Sequence, residues 1–339
     1  MNKRKVYAYI LSVGLCIFGC GGDEEESSTD QAYLDEVAIQ TYLEENGLTD
    51  VTERDDSGIY YQITTANPSG QGPRTSDVLS IYYIANALNE QPFDAVINDG
   101  TNAPVKLQHY SNSVYPIGLD RCLDLIKEGE TAIFYIPSEL AYGDMEDLSS
   151  IIPPNSVIVM EVELSDIQSE DEVLAAQTLD IEQFITFNNL NDTAASPVDS
   201  VVLLSSGVYY KRTQRGIADS VLTQGEETDI KYLAYSLANY PNGTPLDGTA
   251  SNEVFTFAFN EGEVIAGLDA GLVEMERGEH ALLIMPSRNA YGQSAFVIPR
   301  NRKTFLVEQD VIPEYASKVS PYQVLVFDLE LLQPQNATN

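Results

Sequence analysis

One pattern occurs twice in this 339-residue chain, and it restricts the fold more than any other feature. The first copy contains Gly-Leu-Asp from Gly118 and Ala-Tyr-Gly from Ala141, and the second contains them from Gly267 and Ala290. The spacing between the two tripeptides is the same in both copies. Each copy is followed by Ile-Pro and by an acidic, apolar strand, VIVMEVEL or VLVFDLEL. A repeat this long predicts two globular domains of one kind rather than a solenoid.

The same order of secondary-structure elements is predicted around each copy. A helical stretch comes first, at 32–48 and at 173–190, because apolar residues recur there at near-helical spacing. Short strands bounded by Gly, Pro, Asn and Asp follow, which is typical of an antiparallel sheet. The Gly-Leu-Asp segment is a second, short helix. The predicted class is therefore α+β, with two tandem domains that each begin with an N-terminal helix.

The repeat also sets the predicted domain boundaries, at 33–168 and 173–334, with a polar SEDE sequence between them. The second copy inserts about 20 residues, at 300–321, between Ile-Pro and its last strand. This insertion carries Arg300, Arg302, Lys303 and Lys318 in an otherwise acidic chain. A loop this long is usually functional or disordered. A solvated loop face, a lid over the second site and a separate binding arm all remain open.

Residues 1–19 resemble a bacterial lipoprotein signal peptide. A positive start is followed by an apolar run at 6–18, which is short for a membrane span, and a Gly precedes Cys20. The resemblance predicts lipidation of Cys20; a plain signal peptide is the alternative. The acidic stretch at 20–32 predicts a flexible tether and resembles the surface-export signal of Bacteroidetes lipoproteins. We expect a lipid-anchored envelope protein at the outer membrane, facing the periplasm or the cell surface.

The charge and the cysteine count exclude several classes of function and bonding. Fifty-two Asp and Glu against 18 Lys and Arg give a net charge of −34, which repels phosphates, so no nucleic-acid partner is expected. There are two His, no metal-ligand spacing and no phosphate-binding loop, so neither a metal nor a cofactor is expected. Cys122 is the one cysteine of the predicted folded part, which excludes an intramolecular disulfide.

Taken together, these segments resemble the FK506-binding-protein (FKBP) family of peptidyl-prolyl isomerases over about 58–168 and 207–334. The motifs that carry the resemblance are an early-strand Tyr, Phe-Asp, a Gly-Glu turn, Ala-Tyr-Gly, Ile-Pro and the terminal strand. The resemblance implies a twisted antiparallel sheet of five or six strands wrapped around a short helix. It also implies an apolar pocket that isomerises Xaa-Pro bonds of proline-containing polypeptides without a metal or cofactor.

The resemblance implies a catalytic site in the second copy, formed by Tyr232, Asp247, Val264, Ile265, Leu268, Tyr291, Ile298 and Phe327. The Tyr291 hydroxyl and the Ile265 backbone N–H would bond substrate carbonyls, with Asp247 as a polar partner near the rim. Leu246 and Leu268 stand where the family has Phe and Trp, and the chain has no Trp. These departures reduce the aromatic area of the implied pocket.

The first copy would hold a weaker substrate-binding site, formed by Tyr83, Phe93, Asp94, Tyr115, Leu119, Tyr142, Ile152 and Met160. Pro116 stands at the position of Ile265, and proline has no backbone N–H to donate. Met160 stands in place of a Phe. The first copy is therefore expected to be a weak or silent isomerase. The apolar members of both sets would also be ordinary core residues in any small sheet domain.

Three functions remain open from the sequence. The first is an envelope peptidyl-prolyl isomerase that assists the folding of exported proteins, with its activity in the second domain. The second is a non-catalytic tandem module, in which two linked weak sites hold a partner through effective concentration. The third is a surface lipoprotein of a glycan-uptake or adhesion system, because fold alone does not give function. The Tyr, Asp and Ile-Pro retained in the second copy favour the enzyme. The missing Trp, Pro116 and the poorer site of the first copy favour the binding module.

Overall fold

The computed structural model describes residues 24–111, 114–145, 148, 150–191 and 200–333. The described residues divide into two compact units. The first unit contains those of Leu15–Glu170 together with Gln293–Ser317, and the second contains those of Asp171–Gly292 and Lys318–Asn339. The predicted signal peptide at 1–19 and the lipidation site Cys20 lie outside the described residues.

Among the residues that the structure describes, the first unit contains a seven-stranded antiparallel sheet. Its strands are β1 (Glu53–Arg54), β2 (Tyr60–Thr65), β3 (Val78–Ala87), β4 (Pro92–Val96), β5 (Val105–Gln108), β7 (Glu130–Ile136) and β8 (Ile158–Gln168), while β6 (Val114–Tyr115) lies outside this sheet. The order is β1-β2-β7-β8-β3-β4, and β5 pairs with a second stretch of β3. Helix α1 (Glu24–Glu45) precedes the sheet, and α2 (Gly118–Leu123) interrupts it between β6 and β7.

Both faces of this sheet are apolar, because successive side chains along a strand point to opposite sides. Phe134 of β7 lies in the main core with Leu119 and Leu123 of α2. The next residue, Tyr135, belongs to a separate cluster with Ile39 and Leu43 of α1. One sheet face therefore packs on the short helix, and the other is covered by the N-terminal helix.

The second unit repeats this arrangement. Its helices are α3 (Glu170–Phe187) and α4 (Ala266–Leu272), and its strands up to Gly292 are β9 (Val202–Leu203), β10 (Tyr209–Gln214), β11 (Glu227–Ser236), β12 (Asp247–Gly248), β13 (Phe255–Ala258) and β14 (His280–Met285). The chain then forms β15 (Phe296–Val297), α5 (Arg302–Glu308), α6 (Tyr315–Lys318) and β16 (Leu325–Leu331). The antiparallel order is β12-β11-β16-β14-β10-β9, with β13 also on β11. Leu283 of β14 faces α4, whereas Ile284 packs with Ile181 of α3.

An equivalent hydrogen-bonded contact fastens the leading helix in each unit. In the first unit, Asp35 of α1 accepts hydrogen bonds from the backbone N–H and the hydroxyl of Ser138, both at 2.7 Å. In the second, Gln177 of α3 accepts from the N–H of Ser287 at 2.9 Å and donates to the Tyr322 carbonyl at 2.8 Å. Because these side chains are buried, the contacts fix the helix position as well as satisfying polar groups.

The predicted α+β class with two tandem antiparallel-sheet domains is confirmed. In the described part of the chain, each large sheet has seven strands rather than five or six. Two short strands pair with successive stretches of β3 or β11, and a two-residue strand is added at the far edge. Within the described ranges, no helix has both the length and the apolarity needed to cross a membrane.

Two predicted boundaries differ from the structure. The tether predicted at 20–32 overlaps α1, which begins at Glu24. The insertion predicted as part of the second domain belongs mostly to the first unit, which includes Gln293–Ser317. The physical reason is that the chain just before the insertion is held in the first unit, because β15 pairs in parallel with β6 and Phe296 is buried in the first core.

Candidate functional site

The first unit brings together all eight residues predicted for its site. Tyr83 comes from β3, Asp94 from β4 and Tyr115 from β6, while Tyr142 follows the single helical turn Ser138–Leu140. The Tyr142 ring packs edge-on against Phe93 and Tyr115, with centroids 6.0 and 5.6 Å apart. Leu119, Ile152 and Met160 belong to the same buried core. We call Tyr83, Phe93, Asp94, Tyr115 and Tyr142 the first site.

A tyrosine and an aspartate are hydrogen-bonded in this first site. The Tyr83 hydroxyl donates to Asp94 Oδ2 at 3.1 Å. Burial, together with the nearby Asp94 charge, raises the pKa of Tyr83, so the hydroxyl keeps its proton. Burial also raises the pKa of Tyr142. Both hydroxyls are therefore neutral donors at any physiological pH.

Ile298 contacts the first site, not the second. The Tyr142 hydroxyl donates to the Ile298 carbonyl at 2.8 Å, and the Ile298 N–H donates to the Tyr115 carbonyl at 2.9 Å. Ile298 is fully buried in the first core. The structure thus differs from the prediction that Ile298 completes the wall of the second site, because the chain after Gly292 leaves the second unit.

The second unit brings together the other seven residues predicted for its site. The Tyr232 ring stacks on Phe327 at 5.6 Å, and the Tyr232 hydroxyl donates to Asp247 Oδ2 at 3.0 Å. Leu268 is buried in the same core, and Val264, Ile265 and Tyr291 pack against it while half-buried. We call Tyr232, Asp247, Leu268, Tyr291 and Phe327 the second site.

Solvent exposure distinguishes the two sites. The Asp94 side chain is 7% exposed, whereas the Asp247 side chain is 38% exposed. The charge partners also differ: the Arg300 guanidinium bonds Asp94, and the Lys318 ammonium lies 2.8 Å from Asp247. The same Tyr–Asp pair is therefore enclosed in the first unit and open to solvent in the second.

Pro116 and Ile265 lie at equivalent points of the two units, two residues before Gly118 of α2 and Gly267 of α4. Proline has no N–H, so the first site lacks a backbone donor that the second site retains. An apolar wall with a tyrosine hydroxyl and a backbone N–H can bind a compact apolar segment and bond its carbonyl groups. Among the described residues, no group of three His, Cys, Asp or Glu side chains is placed to hold a metal ion.

Sequence reasoning did not identify two buried charged clusters. Glu279 is fully buried and accepts hydrogen bonds from Arg212 Nε at 2.9 Å and from the Tyr210 hydroxyl. His109 is buried in the first unit, with Nδ1 3.1 Å from Asp120 and Nε2 2.9 Å from Asp124. The Gly-Glu sequence repeated at 129–130 and 278–279 could have indicated the Glu279 cluster. No sequence pattern linked His109 to Asp120 and Asp124.

Burial and hydrogen bonding act in opposite directions on His109. Burial lowers the pKa of the imidazole, but hydrogen bonds to Asp120 and Asp124 and their charges outweigh burial, so the pKa is raised. The two carboxylates on either side of the imidazole therefore favour the charged form of His109 in the folded state.

A family model described as "FKBP-type peptidyl-prolyl cis-trans isomerase" matches residues 70–165 and 222–332. The chain is 29% identical over 143 residues to a probable FKBP-type peptidyl-prolyl cis-trans isomerase FkpA of Neisseria meningitidis, covering 42% of this chain and 50% of that one. It is 30% identical over 125 residues to FkpA of Aeromonas hydrophila, covering 37% and 44%. The crystal structure of FkpA from Escherichia coli aligns at 28% identity and a TM-score of 0.33, covering 43% of this chain and 64% of that one. The chain thus spans about half the length of the curated relatives it matches.

Proposed function

The chain belongs to the FKBP-type peptidyl-prolyl cis-trans isomerase family, and we propose that its second unit catalyses the isomerisation of Xaa-Pro peptide bonds in exported polypeptides. One observation carries this proposal. The second site keeps the Tyr232–Asp247 hydrogen bond within an aromatic wall, and its Asp247 side chain is 38% exposed and so accessible to a substrate.

Isomerisation of an Xaa-Pro bond places few chemical requirements on a site. Rotation about an Xaa-Pro bond has a barrier of about 18–20 kcal/mol, and no bond breaks during it. The twisted transition state loses amide resonance and has a less polar carbonyl, so an apolar pocket favours it over the planar ground state. Lowering the barrier by about 5–6 kcal/mol gives an acceleration of about 10⁴.

The residues predicted for the second site have distinct parts in this proposal. Asp247 is the polar partner near the rim, and it accepts a hydrogen bond from the Tyr232 hydroxyl. Tyr232, Leu268 and Phe327 supply the apolar wall on which the proline ring rests. The Tyr291 hydroxyl donates to the carbonyl before the proline, and the Ile265 N–H donates to a second carbonyl. Since Leu268 replaces an aromatic floor, we expect a slower enzyme than one with the family's Trp, because less aromatic surface meets the substrate.

The cellular place is part of the proposal. The positive start, the short apolar run and Cys20 support export and lipid anchoring at the outer membrane, with proline-containing polypeptides as substrates. Cells expressing the full chain and fed a radiolabelled fatty acid test this. Label should appear in the wild-type protein and be absent from Cys20→Ser. Label in both proteins, or in neither, contradicts anchoring at Cys20.

The activity is tested by a proline-isomerisation assay on a short Xaa-Pro peptide, with the soluble chain beginning after Cys20. Wild type should accelerate the reaction, and Tyr291→Ala and Asp247→Ala should lose at least tenfold of that acceleration. Tyr33→Ala is the matched control, because Tyr33 is exposed on α1. No acceleration by folded wild-type protein would reject catalysis and leave the second candidate, a non-catalytic binding module, which Leu268 favours.

A further inference from the structure

We infer that the first site is a peptide-binding site for an aliphatic-Pro-Arg sequence and that its resident ligand is the chain's own segment Phe296–Arg302. We call this stretch, FVIPRNR, the internal segment. The inference goes beyond the proposed function, because it concerns binding in the first unit rather than catalysis in the second. Three independent features of the segment support it.

The first feature is burial of the apolar residues. Phe296, Ile298 and Pro299 are buried, and the first two belong to the same core as Tyr83 and Tyr142. The Phe296 ring meets the Tyr83 ring edge-on, with centroids 6.1 Å apart. The aromatic walls of the first site are thus covered by the segment, as a bound apolar peptide would cover them.

The second feature is the pairing of the segment's backbone. Residues Phe296 and Val297 pair in parallel with Val114 and Tyr115 of β6, so the segment and β6 form a separate two-stranded sheet, as a bound extended peptide would with a free strand. The Ile298 carbonyl, which belongs to the Ile-Pro peptide bond, accepts the Tyr142 hydroxyl at 2.8 Å. A tyrosine hydroxyl on the carbonyl before a proline is the contact we propose for substrate in the second site.

The third feature is recognition of the arginine that follows the proline. Arg300 Nε and Nη2 lie 3.0 and 2.8 Å from Asp94 Oδ1, and its backbone N–H donates to Asp94 Oδ2 at 2.8 Å. Nη2 also donates to the Ala95 carbonyl at 3.0 Å. A planar guanidinium on a carboxylate is specific in geometry as well as in charge. Asp94 therefore selects a basic residue directly after the proline.

A further contact extends the recognition of basic side chains to Arg302, two residues after Arg300. The Arg302 guanidinium lies over the Tyr115 ring, 5.4 Å from its centroid. In a chain with a net charge of −34, a basic stretch at 300–303 is unusual, and two of its side chains contact the first site. The ligand class that follows is an extended peptide with an aromatic residue two positions before an aliphatic-Pro-Arg step.

Peptide binding tests the inference directly. A fluorescent peptide with the sequence of residues 294–303, SAFVIPRNRK, is titrated with the full soluble chain and anisotropy is followed. Wild type should bind it weakly, because the internal segment competes at high effective concentration. Arg300→Glu places a carboxylate beside Asp94 and should release the segment, raising the peptide affinity at least tenfold. Arg288→Glu is the matched control, because Arg288 makes an exposed ion pair elsewhere.

The preference for Arg directly after the proline is tested in the Arg300→Glu protein, in which the internal segment should be released. A peptide with Glu in place of the Arg that directly follows its Pro should bind the Arg300→Glu protein at least tenfold more weakly than the original peptide. Adding Asp94→Asn should abolish that difference. If the Arg300→Glu protein, folded by near-ultraviolet circular dichroism, binds the peptide no more tightly than wild type, the inference is overturned.

A second variant that should release the internal segment tests whether the charge introduced by Arg300→Glu has a separate local effect on peptide binding. Phe296→Ser with Ile298→Ser removes both apolar anchors while keeping Arg300, and should also raise the peptide affinity at least tenfold. Peptide affinity that stays high when Asp94→Asn is added would also overturn the inference, because the peptide would then bind elsewhere. Isomerase activity does not enter these readouts, so the failure of either proposal is seen separately.

Discussion

Truncation of Ile298 gives the sharpest quantitative prediction of this structure. Ile298 is fully buried in the first core, so Ile298→Ala removes buried methyl and methylene groups and leaves a cavity. Such a change costs about 2–5 kcal/mol. Because, among the described strands, β15 pairs only with β6 and lies outside the seven-stranded sheet, we expect this cost to appear as local opening of residues 293–303 rather than as global unfolding.

Hydrogen exchange measures this opening. The Ile298 and Arg300 amides donate to the Tyr115 carbonyl and to Asp94, so both are protected while the segment is seated. A cost of about 2–5 kcal/mol raises the opening constant by about 30- to 5,000-fold, and exchange at these amides should accelerate accordingly until the segment is fully open.

The matched control for this experiment lies further along the same stretch of chain. Val311 is 62% exposed, and Val311→Ala should change exchange at 293–303 by less than threefold, since exposed substitutions cost within about 0.5 kcal/mol. Equal exchange rates in the two variants would refute the placement of Ile298 in the first core.

Three further predictions concern the buried polar groups. Glu279→Ala leaves Arg212 without its buried partner and should destabilise the second unit by about 3–5 kcal/mol in urea unfolding, with Glu279→Gln less harmful; a loss below 1 kcal/mol would contradict this. The raised pKa of His109 predicts stability that is fully present below pH about 6.5 and is lost as pH rises through the folded-state pKa. His109→Gln should therefore cost more at pH 5.5 than at pH 9, and an equal cost would contradict it. Asp35→Ala should lower the midpoint of the first unit's unfolding by removing two buried hydrogen bonds, at about 1–3 kcal/mol, and an unchanged midpoint would refute it.

The repeat explains why so much of the fold was predictable. Two copies of one motif order require two copies of one core, and the alternation along strands such as TAIFYIP specifies which side chains face it. The Tyr83–Asp94 and Tyr232–Asp247 pairs were expected in corresponding places, and both form hydrogen bonds. The positions of these residues followed from the resemblance to the FKBP family.

The sequence could not predict in this way that the internal segment belongs to the first unit. Ile152-Pro153 and Ile298-Pro299 read alike and follow the same motif, yet both isoleucines lie in the first core. Nothing in the local sequence says which of the two similar aromatic sites the apolar internal segment will contact. That choice depends on long-range contacts, here the pairing with β6 and the bond from Arg300 to Asp94.

The most direct test removes the same hydroxyl from each unit and compares the rates of Xaa-Pro isomerisation. Tyr142→Phe acts in the first site, where the hydroxyl bonds the chain's own Ile298 carbonyl, and Tyr291→Phe acts in the open second site. We predict that wild type accelerates the reaction and that Tyr291→Phe loses far more of the acceleration than Tyr142→Phe. A larger loss in Tyr142→Phe, or no acceleration by any of the three proteins, would contradict the assignment of catalysis to the second unit.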